Sequence, residues 1–369
     1  MIYLDHNATT NLHPAVKSKM DDCALLPLNP SSVHSNGRKG KSLLEGARRS
    51  IARLLGIESS FKNYQITFTA SGTEANNIIL ANYKEGEIFI SAVEHTSIFA
   101  YSRLFPNVTI INVNRDGILD LDDLQTKLSQ SGSKKKLVSV MLANNETGII
   151  QPIAEISAIA RQHGALIHSD CIQAIGKIAV SMEELDLDFV TISGHKFGGP
   201  VGAGALISKS SIHLQPIFIG GGQERGLRSG TENVPAIVGL GEAAEVSLSE
   251  LSKRHDHMRD LRDQLEGALM EGFSCLEFVG RNSKRLPNTS LIINPQKAAE
   301  TQLIAFDLKG VAVSSGSACS SGKVGKSHVL AAMGYSDEQI KSAIRVSVGY
   351  TNTINDINNF IRIYKELNR

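Results

Sequence analysis

The chain has 369 residues, and its 38 Lys and Arg against 37 Asp and Glu give a formal net charge of +1. A balance so close to neutral argues against direct binding of nucleic acid through bulk positive charge. Hydrophobic residues make up 41% and charged residues 20%, which favours a packed globular protein over a disordered chain. The length favours two domains, at roughly 150 residues per domain.

The cysteines and the N-terminus bear on the cellular compartment. The four cysteines form no C-x-x-C pair, so neither a disulfide framework nor a typical zinc site is indicated. Residues 1–6 contain no basic region followed by an apolar stretch, and the longest apolar runs, such as Leu137–Ala143, are too short to cross a bilayer. We therefore expect a cytoplasmic protein with no membrane partner, no bound metal and reduced cysteines.

Between residues 40 and 240, β-rich runs alternate with helical stretches. A helix is predicted over 40–55, another begins at Glu74, and Ile153–Gln162 is a third. The predicted strands are, in chain order, Gln65–Thr69, Glu87–Ala92, Val108–Val113, Leu137–Leu142, Ala165–His168 and Phe189–Ile192. This alternation predicts an α/β fold with a mostly parallel sheet that is covered on both faces.

The pattern changes after Gly241. Ala243–Met270 predicts a long charged helix or a pair of helices, and shorter elements follow over Ser290–Ile293, Gln302–Leu308, Ile344–Val348 and Ile354–Leu367. We therefore expect an N-terminal segment and a large domain over residues 1–250, and a smaller C-terminal α/β domain over residues 251–369.

The first candidate for chemistry is a lysine at the end of a predicted strand. Lys196 follows Phe189–Ile192 in a crowded, glycine-rich loop, and ligands collect at such strand ends in open α/β sheets. A lysine that loses its hydration there becomes a nucleophile towards an aldehyde, and pyridoxal phosphate is the aldehyde that suits it. Asp170 precedes Lys196 by 26 residues, about one βαβ step, so both could face one crevice. Its carboxylate could keep a pyridinium nitrogen protonated, although it could equally be a helix N-cap.

Three further loops add weaker candidates. Ser71-Gly72-Thr73 joins a strand to a helix, where free N–H groups and the helix dipole favour an anion, although simple capping explains it too. His95 could stack on a cofactor ring and move protons, or be structural. An amide in Asn144–Gly148 could bond a ring hydroxyl, or this segment could be only a turn.

Two residues of the C-terminal half could handle a sulfur-containing amino acid. Cys319 lies in a run of small residues over 314–322, which suits a reactive thiol better than a buried one, and Lys323 and Lys326 could favour its thiolate. Arg345 lies within a β-branched run, where its guanidinium could bind a substrate carboxylate or form a structural salt bridge.

These motifs give the whole chain a resemblance to the cysteine desulfurases, which are pyridoxal-phosphate enzymes of fold type I in the class V aminotransferase group. The segments that carry it are Tyr3–Thr10, Asn29–Ser32, Ser71–Glu74, Glu94–His95, Asn144–Glu146, Ser193–Lys196, Glu224–Thr231 and Ser314–Cys319. The last of these, Ser-Ser-Gly-Ser-Ala-Cys, is the most specific and resembles the subgroup with a long cysteine loop.

The resemblance implies how the cofactor would be held. Lys196 would bind it covalently and move protons, Asp170 would pair with its ring nitrogen, and His95 would stack on the ring. Its hydroxyl would be bound by Asn145 and Gln173. Its phosphate would be bound by Gly72, Thr73, Ser193, His195 and, from the other subunit of a homodimer, Thr231.

The resemblance also implies the reaction. Arg345 and Asn29 would orient the carboxylate of L-cysteine, and Cys319 would take its sulfur as a persulfide, leaving L-alanine. The sulfur would pass to an acceptor protein, such as an iron–sulfur scaffold or a carrier for tRNA thiolation. Many family members have a further C-terminal segment after the helix that ends this chain, and that segment helps to dock the scaffold. The sequence therefore does not identify the acceptor.

Alternatives remain open at this point. The same fold could cleave selenocysteine or transfer amino groups, although transamination has no use for the thiol of Cys319. A non-catalytic assembly subunit would not need Lys196, Asp170, His95 and Cys319 together. A nicotinamide-binding sheet would need a glycine fingerprint after its first strand, and the sequence has none there.

Overall fold

The structure is a computed structural model that describes residues 1–316 and 326–368. The described helices are α1 (Pro14–Ala24), α2 (Ser35–Leu54), α3 (Gly72–Asn82), α4 (Thr96–Phe99), α5 (Tyr101–Leu104), α6 (Leu121–Gln130), α7 (Ile153–Gln162), α8 (Val234–Ser249), α9 (Leu251–Gly272), α10 (Ala299–Leu308), α11 (His328–Ala332), α12 (Asp337–Lys341) and α13 (Ile354–Leu367). The charged stretch over 243–270 is thus part of a helix pair, α8 and α9, which meet at Glu250.

The described strands are β1 (Ile2–Tyr3), β2 (Tyr64–Thr69), β3 (Glu87–Ser91), β4 (Val108–Ile111), β5 (Lys136–Ser139), β6 (Leu166–Asp170), β7 (Phe189–Ser193), β8 (Gly204–Lys209), β9 (Glu277–Phe278), β10 (Thr289–Ile293), β11 (Val311–Ala312), β12 (Ser314–Ser315) and β13 (Ala343–Ser347). Each strand predicted from the sequence overlaps one of these. The sequence analysis did not predict β8, whose residues follow a run of glycines.

The large sheet has seven strands in the order β2-β8-β7-β6-β5-β3-β4. The strands from β7 to β4 in this order pair in parallel, whereas β8 pairs antiparallel with both of its neighbours. The predicted α/β fold with a mostly parallel sheet is confirmed. The carboxyl ends of β3, β5, β6 and β7 meet at one edge, so the loops that follow them converge there.

Both faces of the large sheet are buried under helices. Neighbouring residues along a strand join different hydrophobic clusters: Phe89 and Val138 lie in one, and Ile88 and Leu137 in the other. Because side chains alternate across a strand, each cluster occupies one face of the sheet. Two covered faces explain why these strands are nearly continuous apolar runs in the sequence.

The C-terminal part of the chain forms a second, four-stranded antiparallel sheet in the order β12-β13-β10-β9. It packs with helices α9, α10 and α13 around its own hydrophobic cluster, to which Leu4 also belongs. The N-terminal β1 pairs in parallel with β11, so the first residues of the chain lie against this C-terminal part. The division into domains over 1–250 and 251–369 stays a prediction.

No helix among residues 1–316 and 326–368 has both the length and the apolar character needed to cross a bilayer.

Candidate active site

A cavity of about 220 Å³ lies beside the converging carboxyl ends of the parallel strands. Ten of the residues that the sequence singled out line it: Ser71, Gly72, Thr73, His95, Asn145, Asp170, Gln173, Ser193, Lys196 and Arg345. Four others line it that the sequence analysis had given no role: Asn7, Ala8, Met141 and Ile172. The structure therefore brings together most of the predicted site.

Other predicted site residues lie elsewhere. His195 is not among the described lining residues; its ring is close to Thr9, and burial lowers the pKa of its imidazole to about 4. Asn29 and Thr231 are both exposed and also absent from the described lining. Their roles stay predictions. Cys319 lies outside the described residues.

Lys196 ends a short 3-10 turn, residues 194–196, directly after β7. Its Nζ donates hydrogen bonds to the main-chain carbonyls of Asn7, at 2.7 Å, and Ala8, at 2.6 Å. The turn is held tight because the Gly199 N–H donates to the Gly194 carbonyl, and a Cβ at residue 199 would lie only 2.9 Å from that oxygen. The crowded loop expected from the sequence therefore fixes where the amine points.

Asp170 ends β6 and is buried. Its Oδ1 accepts the Ile172 N–H at 2.9 Å, and its Oδ2 accepts Asn76 Nδ2 at 2.8 Å. Burial raises the pKa of this carboxyl, while the bond from Asn76 and the nearby Lys196 and His95 lower it. A carboxylate held this deeply is stabilised most by a cation placed against it.

His95 follows β3 and caps the short helix α4. The Ser97 N–H donates to His95 Nδ1 at 3.1 Å, and Ser97 Oγ lies 2.8 Å from the same nitrogen. A ring nitrogen that accepts an N–H bond carries no proton in the neutral imidazole. The neutral ring therefore has its proton on Nε2.

The N-terminus of α3 forms another wall of the cavity. Ser71 caps this helix by accepting the Glu74 N–H, and the amides of Gly72 and Thr73 precede the helical ladder, where donors have no acceptor within the helix. A Cβ at residue 72 would lie 2.2 Å from Ile172 Cδ1, so the loop after β6 packs closely against this end. Such an end binds anions, phosphate among them.

Arg345 reaches the cavity from β13 of the second sheet. Its NH2 donates to Asp5 Oδ1 at 2.7 Å and its NH1 to the Asn145 carbonyl at 3.0 Å. Its Nε is buried and has no hydrogen-bond partner among the described residues. The salt bridge that the sequence left open as an alternative is therefore present, and the guanidinium retains a donor for a further carboxylate.

Asn7 connects several of these groups, and the sequence gave it no role beyond its place in a matching segment. Its main-chain oxygen accepts both Lys196 Nζ and Gln173 Nε2, the latter at 2.9 Å. Its Oδ1 accepts Lys177 Nζ at 2.9 Å, and the same amine donates to Gln173 Oε1 at 2.7 Å. The N-terminal segment thus closes one side of the cavity.

Lys177 is buried and forms no salt bridge with any carboxylate among the described residues. Burial lowers the pKa of its amine well below 10.5, and the positive charges of Lys196 and Arg345 lower it further. No sequence signal separated this lysine from a surface one, because its burial depends on the N-terminal segment folding over it.

The described residues on either side of Cys319 meet at one carboxyl group. Glu146 Oε2 accepts Ser327 Oγ at 2.6 Å, and a Cβ at Gly316 would lie 2.6 Å from the same oxygen. Burial raises the pKa of this carboxyl. Its neighbour Asn145 lines the cavity, so both described ends of the segment that contains Cys319 lie near the candidate site.

The family model for aminotransferase class-V matches residues 2–360. The chain belongs to this family. A cysteine desulfurase of Nostoc sp. is 38% identical over 382 residues, which cover 100% of this chain and 92% of the relative. A protein named cysteine desulfurase IscS, from Dictyoglomus turgidum, is 37% identical over 368 residues, covering 97% of this chain and 92% of the relative.

An X-ray structure of a NifS-like protein from Rickettsia africae superposes with a TM-score of 0.94 at 46% identity, over 100% of this chain and 99% of that one. The resemblance to cysteine desulfurases drawn from the sequence, and the fold it implied, are confirmed. No group of three or more His, Cys, Asp or Glu within the described part of the chain is arranged to hold a metal ion.

Proposed function

We propose that the protein is a pyridoxal-phosphate-dependent cysteine desulfurase, which converts L-cysteine to L-alanine and transfers the sulfur to Cys319. The observation that carries the proposal is that one cavity holds the amine of Lys196, the carboxyl of Asp170 and the N-terminus of α3. Relatives that match nearly the full length are named cysteine desulfurases, which supports this activity.

The donor set fits the cofactor at each of its functional groups. Lys196 offers an amine for the aldehyde, the buried carboxyl of Asp170 suits a protonated ring nitrogen, and the amides of Gly72 and Thr73 suit the phosphate. When bound, pyridoxal phosphate would supply an electron sink for the bonds at the substrate Cα. His95, with its proton on Nε2, would stack on the ring and donate or accept a proton beside it.

L-Cysteine would be oriented by its carboxylate. Arg345 reaches the cavity with a buried donor, Nε, that no described residue accepts, and a guanidinium binds a carboxylate through two parallel bonds. Lys196 would remove and return the proton at the substrate Cα. Its two carbonyl acceptors, from Asn7 and Ala8, hold the amine over the cavity.

The sulfur step requires Cys319. Its thiolate would attack the sulfur of the bound substrate, so that a sulfur–sulfur bond forms as the carbon–sulfur bond breaks. The electron pair of the broken bond would remain with the substrate carbon, which takes up a proton and leaves as alanine. Cys319 would then carry a persulfide. The contacts of Gly316 and Ser327 with Glu146 support a position for this segment near the cavity.

We further propose a cytoplasmic homodimer that hands its sulfur to an acceptor protein, such as an iron–sulfur scaffold or a thiolation carrier. The exposed apolar side chains of Ile217, Phe218 and Ile219 precede Thr231 in one loop, and contiguous exposed apolar surface is typical of an interface. In such a dimer Thr231 would reach the phosphate site of the other subunit. A reducing compartment would keep the thiol of Cys319 available.

The test is to mix purified protein with pyridoxal phosphate and L-cysteine and to measure alanine and sulfane sulfur together. We expect equal amounts of both. Alanine without sulfane sulfur would contradict the persulfide route, and a keto acid in place of alanine would point to transamination. Release of selenide from selenocysteine with no reaction of cysteine would favour a selenocysteine lyase.

Two variants separate the roles of the key residues. Cys319→Ala should keep the visible absorption band of the bound cofactor and lose sulfur transfer, whereas Cys275→Ala, at an exposed cysteine, is the matched control. Lys196→Ala should lose the cofactor attachment that borohydride fixes to the protein. Undiminished sulfur transfer by Cys319→Ala, or attachment in Lys196→Ala, would remove that residue from its role.

A further inference from the structure

Asn76 lies on α3, is fully buried, and was not singled out by the sequence. Its Nδ2 donates to Asp170 Oδ2 at 2.8 Å and to Ser97 Oγ at 3.0 Å. An amide nitrogen carries two hydrogens, so these two bonds use both of them. One side-chain amide thus connects the carboxyl that would face the cofactor nitrogen with the serine that contacts His95.

The amide orientation follows from the charge of its neighbour. If the group were turned around, its oxygen would face the carboxylate of Asp170, and two acceptors would meet without a hydrogen between them. With the nitrogen towards Asp170, the second hydrogen reaches Ser97 Oγ. Among the described residues, His95 Nδ1 is then the acceptor within reach of the Ser97 hydroxyl.

We propose that Asn76 is a positioning residue that fixes the ionised carboxylate of Asp170 and, through Ser97, the Nε2-protonated form of His95. This inference rests on the proposed function, because it assigns Asn76 a role in holding the pyridoxal ring. Asn76 itself touches neither cofactor nor substrate in this role. It acts on the charge of Asp170 and on the proton position of His95.

Charged groups near Asp170 lower the pKa of its carboxyl, as the hydrogen bond from Asn76 does. Lys196 and His95 lower the pKa of the Asp170 carboxyl, and the bond from Asn76 lowers it as well, against the effect of burial. Glu94 also faces Asp170, and burial raises the pKa of Glu94 well above its ordinary value. The bond from Asn76 is one of the contacts that lower the pKa of Asp170.

The first test measures binding, not turnover. The probes are pyridoxal phosphate and an analogue whose ring nitrogen is replaced by carbon, and the dissociation constant of each is measured by absorbance. Attachment to Lys196 is common to both probes, so the ratio of their two dissociation constants isolates the contact of Asp170 with the ring nitrogen. We expect the wild-type protein to prefer pyridoxal phosphate and Asp170→Asn to lose most of that preference.

Asn76→Leu should reduce the preference by at least about tenfold, because it removes a hydrogen bond to a charged group. Asn77→Leu is the matched control: the neighbouring asparagine on the same helix bonds the Thr73 carbonyl and Tyr101 instead, and its variant should keep the wild-type ratio. Asn76→Ala serves if the leucine variant does not fold. An unchanged ratio in either folded Asn76 variant overturns the proposal.

The outcome distinguishes this proposal from the function on which it rests. A wild-type protein that binds both probes equally would contradict the role of Asp170 and thus the proposed function. Wild-type discrimination that persists in the Asn76 variants would overturn the positioning role alone.

The second test needs no variant of Asn76. Nitrogen NMR of the protein with isotope-labelled histidine reports which ring nitrogen is protonated, and His95→Gln identifies the signal among the 11 histidines. We expect Nδ1 without a proton in the neutral ring. A proton on Nδ1 would show that the Ser97 hydroxyl does not donate to His95, which overturns the second half of the proposal.

Discussion

The buried amine of Lys177 makes the stability of this protein depend on pH in a direction that can be calculated. Burial lowers the pKa of Lys177 well below 10.5, and its two hydrogen-bond acceptors, Asn7 Oδ1 and Gln173 Oε1, are uncharged. Between that lowered pKa and 10.5 the folded chain therefore favours the neutral amine, whereas the unfolded chain holds it protonated. In this range unfolding takes up one proton at this site.

Stability must then rise with pH wherever the unfolded state binds more protons. For one proton the slope is about 1.4 kcal/mol per pH unit, and it applies from the ordinary pKa of 10.5 down to the lowered pKa of the folded state. Lys177→Met removes this proton. Its free energy of unfolding relative to wild type should therefore increase by about 1.4 kcal/mol for each unit by which the pH falls through this range.

The lost hydrogen bonds do not disturb this measurement. Methionine leaves Asn7 Oδ1 and Gln173 Oε1 without the amine, which costs about 1 kcal/mol for each bond at every pH. This constant offset shifts the plot of the free energy of unfolding against pH but does not change its slope. Urea unfolding without added cofactor across the pH series measures the slope directly, because a ligand bound to the folded state would add its own stabilisation.

Lys17→Met is the matched control, since Lys17 is an exposed lysine whose partner Asp21 is equally exposed. We expect its difference from wild type to stay constant over the same range. If Lys177→Met also gives a constant difference, the folded protein holds Lys177 protonated, and the description of it as a neutral donor is wrong.

Two further predictions concern the walls of the cavity. Gly72→Ala places a methyl group 2.2 Å from Ile172 Cδ1, so the isoleucine side chain must rotate. We expect titration to show that pyridoxal phosphate binds this variant at least about tenfold more weakly than the wild type. Gly46→Ala, whose new methyl group has open space around it, should not alter binding. Asp5→Ala leaves the buried guanidinium of Arg345 without its carboxylate. We expect denaturation to show that the free energy of unfolding falls by about 3 kcal/mol. A fall of under about 1 kcal/mol would mean that the pair contributes no more than a surface salt bridge.

Most of the catalytic groups could be predicted because they are local features of strand ends. The loops after β6 and β7 follow short strand-like runs that the sequence analysis predicted, and Asp170 and Lys196 stand where ligands collect in such sheets. β8 was not predicted because this antiparallel strand does not follow an α-helix, and the alternation of strands with helices was the pattern that indicated the other strands.

The residues that support the site could not be predicted in the same way. Asn7 is more than 150 residues away from Gln173 and Lys196 in sequence, so only the folded chain shows that it accepts bonds from both. Asn76 did carry a weak signal, since it is a polar residue between Ala75 and the apolar run Ile78, Ile79 and Leu80 on α3. A polar side chain in a buried helical stripe requires a partner, but the sequence does not say which one.

The N-terminal segment links the formation of the cavity to the packing of both sheets. Asp5 bridges to Ser347 of the second sheet, and two residues later Asn7 accepts bonds from Lys196 and Lys177 of the large-sheet side. Moving this segment by one residue would break the register at Ser347 and withdraw the acceptors of both amines together. The geometry of the cavity therefore depends on a strand pairing that lies in the other sheet.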